Sequence, residues 1–232
     1  MIAARLAVGL AALLGATTLQ AQVLREVGRP PFEVGIGIAV AQPTGDFSNY
    51  VSVGGGLIGH GVWTPDRSGV FGLRFDVSGI IYGSTTRSYV LVPLITVDVT
   101  TTNSIVTALF GPQFATGGDV RLYGFGELGF SYFATTSSVE GSGDIGAFAH
   151  TTNFDDFTFA TAAGGGVKIQ LTHSRHPLSL DVGARYVYNG RARYLRSSSI
   201  IITGNTVQYT PIESQTNLIL YQVGVSVGLG GP

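Results

Sequence analysis

The segment Ile219-Leu-Tyr-Gln-Val-Gly-Val-Ser-Val-Gly-Leu229 decides how this chain folds. Ile219, Tyr221, Val223, Val225, Val227 and Leu229 form one apolar row. Between them lie Leu220, Gln222, Gly224, Ser226 and Gly228, which are mostly small or polar. A period of two is that of a strand whose two faces meet different surroundings. Its length is about the 10 residues a tilted strand needs to cross a bilayer. Strands of soluble proteins usually run to about half that.

Composition agrees with this reading. Apolar residues make up 44% of the chain and charged residues 12%, with a mean hydropathy of +0.33. Yet no stretch beyond Ala21 approaches the roughly 18 unbroken apolar residues of a spanning helix. High apolar content without such a run is what alternating, lipid-facing strands produce. The 34 glycines weigh against long helices. The net charge of −1 and the lack of a basic patch exclude nucleic acid as an expected partner. With no cysteine, the chain uses no disulfides.

Met1–Ala21 reads as a secretory signal peptide, with Arg5 as its basic region, Leu6–Ala16 as its apolar core and Thr17–Ala21 as a small-residue exit. Residues 22–31 then form a short periplasmic segment, residues 32–229 the barrel, and residues 230–232 a tail.

Eight candidate strands follow the same alternation. They are Phe32–Ala41, Val53–Thr64, Val70–Tyr82, Asn103–Phe114, Val120–Phe133, Phe157–Leu171, Leu178–Tyr188 and Thr216–Leu229. The second and fourth have no clear phase. Thr64–Gly69, Ala115–Asp119 and Thr172–Pro177 are short and built of turn formers. Gln42–Ser52, Gly83–Thr102, Ala134–Asp156 and Asn189–Gln215 are longer and polar. Tyr89–Val99 within the second of these is strand-like. In the last, Ser198–Thr203 and Thr206–Thr210 flank a Gly204-Asn205 hairpin signal, which is expected to prolong the seventh and eighth strands. Alternating short and long connections predict an all-β, eight-stranded antiparallel up-and-down transmembrane β-barrel, with short turns periplasmic and long loops extracellular.

Several stretches carry a family likeness. Gly35-x-Gly37 is followed by Pro43-Thr-Gly-Asp-Phe47, and Arg121-Leu-Tyr-Gly-Phe-Gly-Glu-Leu-Gly-Phe-Ser-Tyr132 fills the fifth strand. With the alternating last strand, these resemble the small eight-stranded outer-membrane barrels of the OmpA/OmpX/OmpW type. The resemblance implies an outer-membrane location, outer-membrane lipids and lipopolysaccharide as surroundings, and recognition by the barrel-assembly machinery. It makes Tyr221, Val223, Val225, Val227 and Leu229 the C-terminal assembly signal. Leu229 stands where such barrels usually end on Phe, and Gly230-Gly231-Pro232 follows it. No peptidoglycan-binding domain is expected, and the protein is expected to be monomeric.

By parity, Glu33, Arg74, Asp76, Arg121, Glu127, Lys168, Asp181 and Arg185 fall on the inner face. A charge cannot face lipid cheaply, nor stay unpaired in a narrow lumen. A network of interior ion pairs resolves both problems and would either fill the core or line a gated path. Arg191, Arg193 and Arg196 cluster after the seventh strand, where their forks suit lipopolysaccharide phosphate. Trp63, Tyr132, Tyr186, Tyr188 and Tyr221 are candidates for aromatic girdles.

His173 and His176 lie in a short turn with no acidic cluster nearby, His60 is alone in a glycine-rich strand, and His150 shares the third long loop with Asp144, Asp155 and Asp156. His173-Ser174 has neither the spacing nor the side of a lipid A deacylase pair, and Asp144, Asp155 and Asp156 have no EF-hand spacing. No metal, cofactor or catalysis is expected. The sequence reading is an integral outer-membrane barrel with a structural, interaction or minor-permeability role. A narrow solute channel, a secreted soluble β-protein, and a lipid A-modifying or rim-protease-like enzyme are the alternatives.

Overall fold

A computed structural model describes residues 30–65, 68–92, 95–141, 149–195, 200–203 and 206–230. The signal peptide, most of the segment 22–31, Arg196, Gly204-Asn205 and the last two residues lie outside these. Strands β1 (Phe32–Pro43), β2 (Gly54–Trp63), β3 (Phe71–Val92), β4 (Ile95–Ala115), β5 (Val120–Gly141), β6 (Ala149–Gln170), β7 (Leu178–Asn189) and β12 (Leu218–Leu229) form one closed barrel. All neighbours are antiparallel, and β12 returns to pair with β1 from Phe32↔Leu229 to Pro43↔Leu218. This is the eight-stranded up-and-down architecture. Four short strands lie outside the barrel: β8 (Arg191–Tyr194) pairs with β11 (Ile212–Gln215), and β9 (Ile200–Thr203) pairs with β10 (Thr206–Tyr209).

Alternation sets the faces. On β1, Val34, Ile36 and Ile38 point outward at 46%, 60% and 66% exposure, while Ala39 and Ala41 are buried. On β12, Tyr221, Val223, Val225 and Leu229 are exposed, and Leu220, Gln222 and Ser226 are buried. Together the outer rows make a continuous apolar belt. A soluble barrel would hide such a surface, whereas lipid is its natural solvent. The two strands of unclear phase resolve here. β2 turns Ile58, His60 and Val62 inward, and β4 turns Ile105, Thr107, Leu109 and Gln113 inward.

Strand length departs from the sequence reading. β3, β5 and β6 each run 22 residues and β4 runs 21, about twice what a bilayer needs. Most of Gly83–Thr102 and Ala134–Asp156, expected as loops, continues the sheet. Thr and Ser, polar but β-branched or small, permit strand pairing without apolar alternation. The seventh and eighth strands do not simply prolong themselves. β7 stops at Asn189, and β8 and β11 pair as a separate sheet after Gly190. At the short-turn end, Gly69 and Gly118 take φ of 68° and 93°, which only glycine adopts cheaply.

Candidate functional site: the barrel interior

The lumen has two layers. Toward the short turns it is ionic. Arg74, on β3, reaches Asp76 through both Nε and NH2, the latter at 3.0 Å, and donates to Gln113 at 2.9 Å. Arg185, on β7, donates to the same Asp76 at 3.0 Å and to Gln222 at 2.9 Å. Glu127, on β5, lies 3.6 Å from Arg74 and 3.5 Å from Arg185. Both guanidinium groups stand over the Phe125 ring, at 4.6 and 4.9 Å from its centroid. This supplies cation–π attraction where no water reaches.

A second cluster lies closer to the short-turn mouth. Lys168, on β6, pairs with Glu33 on β1 and lies 3.9 Å from Asp181. Arg121 approaches Glu33 at 3.4 Å and donates to Ser179 at 3.1 Å. Tyr123 donates to Asp181 at 2.6 Å. Its hydroxyl lies where a Cβ on Gly166 or Gly183 would fall at 2.7 or 2.6 Å, so those two glycines make its room. Above this cluster a cavity of about 70 Å³ opens at the mouth, bordered by Glu33, Arg121, Lys168 and Gln170.

All eight charges named from the sequence thus line the lumen, and the structure brings them into these two joined clusters. His60 was not among them. Its ring lies 3.6 Å from Asp181 and 3.8 Å from Glu33. The phase of the glycine-rich β2, which its sequence leaves open, decides that placement.

Toward the long loops the lumen is largely apolar, threaded by buried hydroxyls and amides that bond one another, such as Thr107, Ser131 and Asn189. Gly45–Asn49 forms a short 3-10 helix after β1 and drops Phe47 into the mouth, fully buried. Phe47 meets Tyr194, Tyr82 and Phe133 edge-on at 5.2, 5.7 and 6.4 Å between ring centroids. Ile58, Ile80, Ile105, Leu109, Val187 and Leu220 fill the space below. This plug was not read from the sequence, because each strand contributes only one or two of its side chains. The Pro43-Thr-Gly-Asp-Phe47 stretch was its one visible signal.

The remaining candidates lie at the surface. Arg191 pairs with Glu213 at 2.9 Å, and Arg193 lies 3.8 Å from Asp156, whose carboxylate also accepts the Arg193 backbone N–H at 2.7 Å. His173 meets Asp119 at 3.1 Å, and His176 lies 3.2 Å from the Gly228 carbonyl oxygen. Among the described residues no group of three His, Asp or Glu gathers as metal ligands. Trp63 lies on the outer face near the short turns, in register with Phe32, while Tyr132, Tyr186 and Tyr188 lie outward toward the other end.

No protein-family model matches the sequence, and no curated protein does. Among solved structures the chain is similar to Ail, the attachment invasion locus protein of Yersinia pestis, solved with the heparin analogue sucrose octasulfate. That match has 12% identity and a TM-score of 0.43, and covers 84% of this chain and 96% of that one. It is also similar to Neisserial surface protein A, with 15% identity, a TM-score of 0.45, and 87% and 99% covered. The outer membrane protein OprG of Pseudomonas aeruginosa matches with 12% identity, a TM-score of 0.46, and 88% and 98% covered.

Proposed function

We propose that this protein is an integral outer-membrane barrel that does not conduct or catalyse, and that it holds a protruding β-sheet at the cell surface for interaction. The observation that carries this reading is the pairing of a lumen filled by its own side chains with four over-long strands. An eight-stranded barrel has room for little besides its own side chains. Here those side chains are paired ions in one half and, in the other, packed rings and aliphatic groups with bonded hydroxyls and amides between them. The belt accounts for about half the length of β3, β4, β5 and β6. The other half, rich in Thr and Ser, is paired as sheet and extends from the end opposite the short turns. That end is assigned to the outside, where Arg191 and Arg193 are the basic groups offered to lipid phosphate.

The test is a planar bilayer recording of the refolded full chain. Little or no steady conductance supports the sealed scaffold. A stable, large conductance overturns it and favours the narrow channel. The channel reading draws on the mouth cavity beside Glu33 and Arg121, but a continuous path from there must also cross the apolar layer of Ile58, Ile105 and Leu109.

A further inference from the structure

The protruding sheet carries an ordered array of hydroxyl groups on the face that continues the apolar belt. Register builds it in rows across four strands. Ser84 pairs with Thr102, Thr102 with Thr136, and Thr136 with Thr152. The next row outward is Thr86, Thr100 and Ser138, ended on β6 by His150, with Thr86 and Thr100 joined at 2.9 Å through their hydroxyls. Two bulges, at Ile81/Gly83 and Thr135/Thr136, shift the parity of β3 and of the β5–β6 pairing, and so bring these hydroxyls to one face. That face is the outer one. On β4 the outward row runs Phe110, Ala108, Val106, Ser104, Thr102, Thr100. On β5 the same parity runs Phe130, Tyr132, Ala134, Thr136, Ser138, with Ala134 covered by its neighbours. Columns stand about 4.8 Å apart across strands, and rows about 6.8 Å apart along them.

We infer that this array docks the sugar headgroups of the glycolipids surrounding the barrel in the outer leaflet. The inference rests on the outer-membrane reading above and names the partner of this one face. Continuity with the belt identifies the occupant. A lipid whose acyl chains lie on Val106, Phe130 and Tyr132 presents its headgroup to the hydroxyl rows immediately above. The chemistry identifies the part of the headgroup. Neither row carries Lys or Arg, His150 at the edge of the second row being its one basic residue type, and Asp155 and Asp98 border the rows below and above. Phosphate therefore finds no Lys or Arg counter-charge in these rows. A sugar ring, with several hydroxyls that donate and accept, matches Thr and Ser, which do the same. The threonine methyls offer apolar contact to the ring faces. Because β4 and β5 are held by sheet pairing on both sides, little freedom of their side chains is lost when a ring docks.

The test compares heat unfolding of the full chain in three bilayers. One is phospholipid alone. One adds a glycolipid with its core sugars. One adds the same glycolipid stripped to acyl chains and phosphates. The sugar-bearing lipid is expected to raise the unfolding midpoint by roughly 4 °C or more over the stripped one. The combined variant T86V/T100V/T102V/T136V, which keeps the β-branched shape but removes the hydroxyls, is expected to lose that increment while unfolding normally in phospholipid. The single variant T101V, on the opposite face of β4, is expected to keep it. An equal midpoint in the two glycolipid bilayers, or an increment that survives in the combined variant, overturns the inference. Failure of the wild type to insert into any of the three bilayers would instead remove the outer-membrane reading itself.

Discussion

The two carboxylates between Arg74 and Arg185 do different work. Asp76 accepts three hydrogen bonds from these two guanidinium groups. Glu127 makes contacts of 3.5 and 3.6 Å, and neither of its oxygens takes a hydrogen bond from the two guanidinium groups. Asp76→Asn should therefore cost about 3–5 kcal/mol, the range for breaking a buried pair on one side. Glu127→Gln should cost about 1 kcal/mol, because it disturbs no short contact. Urea midpoints of the folded barrel in vesicles measure both, and equal losses would contradict the assignment. Facing is testable on β12. Val225→Asp places a charge on the lipid face and should block assembly, while Ser226→Asp, one residue on and inward, should be tolerated better. Equal assembly of the two in outer-membrane fractions would reverse the strand's phase. Alternation makes this facing legible at Val225 and Ser226. It leaves His60 open, because Gly54, Gly55, Gly56, Gly59 and Gly61 around it carry no side chain to show a phase.

At the scale of the element, the barrel strands are visible in the sequence only as far as their apolar rows last. Val70–Tyr82 reads as a strand because Phe71, Phe75 and Val77 alternate with Arg74, Asp76 and Ser78. From Gly83 to Ser88 both faces of β3 are small or polar, so periodicity carries no signal there, although pairing continues to Val92. The same holds for β5 beyond Phe133. The orientation of these extensions can be tested because the chain has no cysteine of its own. A single cysteine at Ser88, on the β3 extension, should react with an impermeant maleimide on intact cells. One at Ser174, in the turn between β6 and β7, should react only after the outer membrane is opened. The reverse pattern would invert the barrel.

Taken whole, the molecule is closed by two unlike seals, and they should fail differently. Arg185→Ala frees Asp76 and Glu127 in the ionic half but leaves the plug of Phe47, Tyr82, Phe133 and Tyr194 in place. Brief, rare openings in single-channel recordings are expected from this variant, against none from the wild type; a steady open level would show that the apolar half does not seal. The plug was the least legible part of the fold, since its members are assembled by closure rather than by neighbourhood in the chain. Closure has a further consequence, one of time. Glu33 is near the start of β1, and its partners Lys168 and Arg121 belong to β6 and β5, far along the chain. Until β12 meets β1, Glu33 has no route to them, and a half-made wall would hold an unmatched charge against lipid. The ion pairs therefore act late in assembly, as a latch set only by the correctly registered last strand. Long-range pairing of this kind makes folding slow, and the latch makes its final step all-or-none.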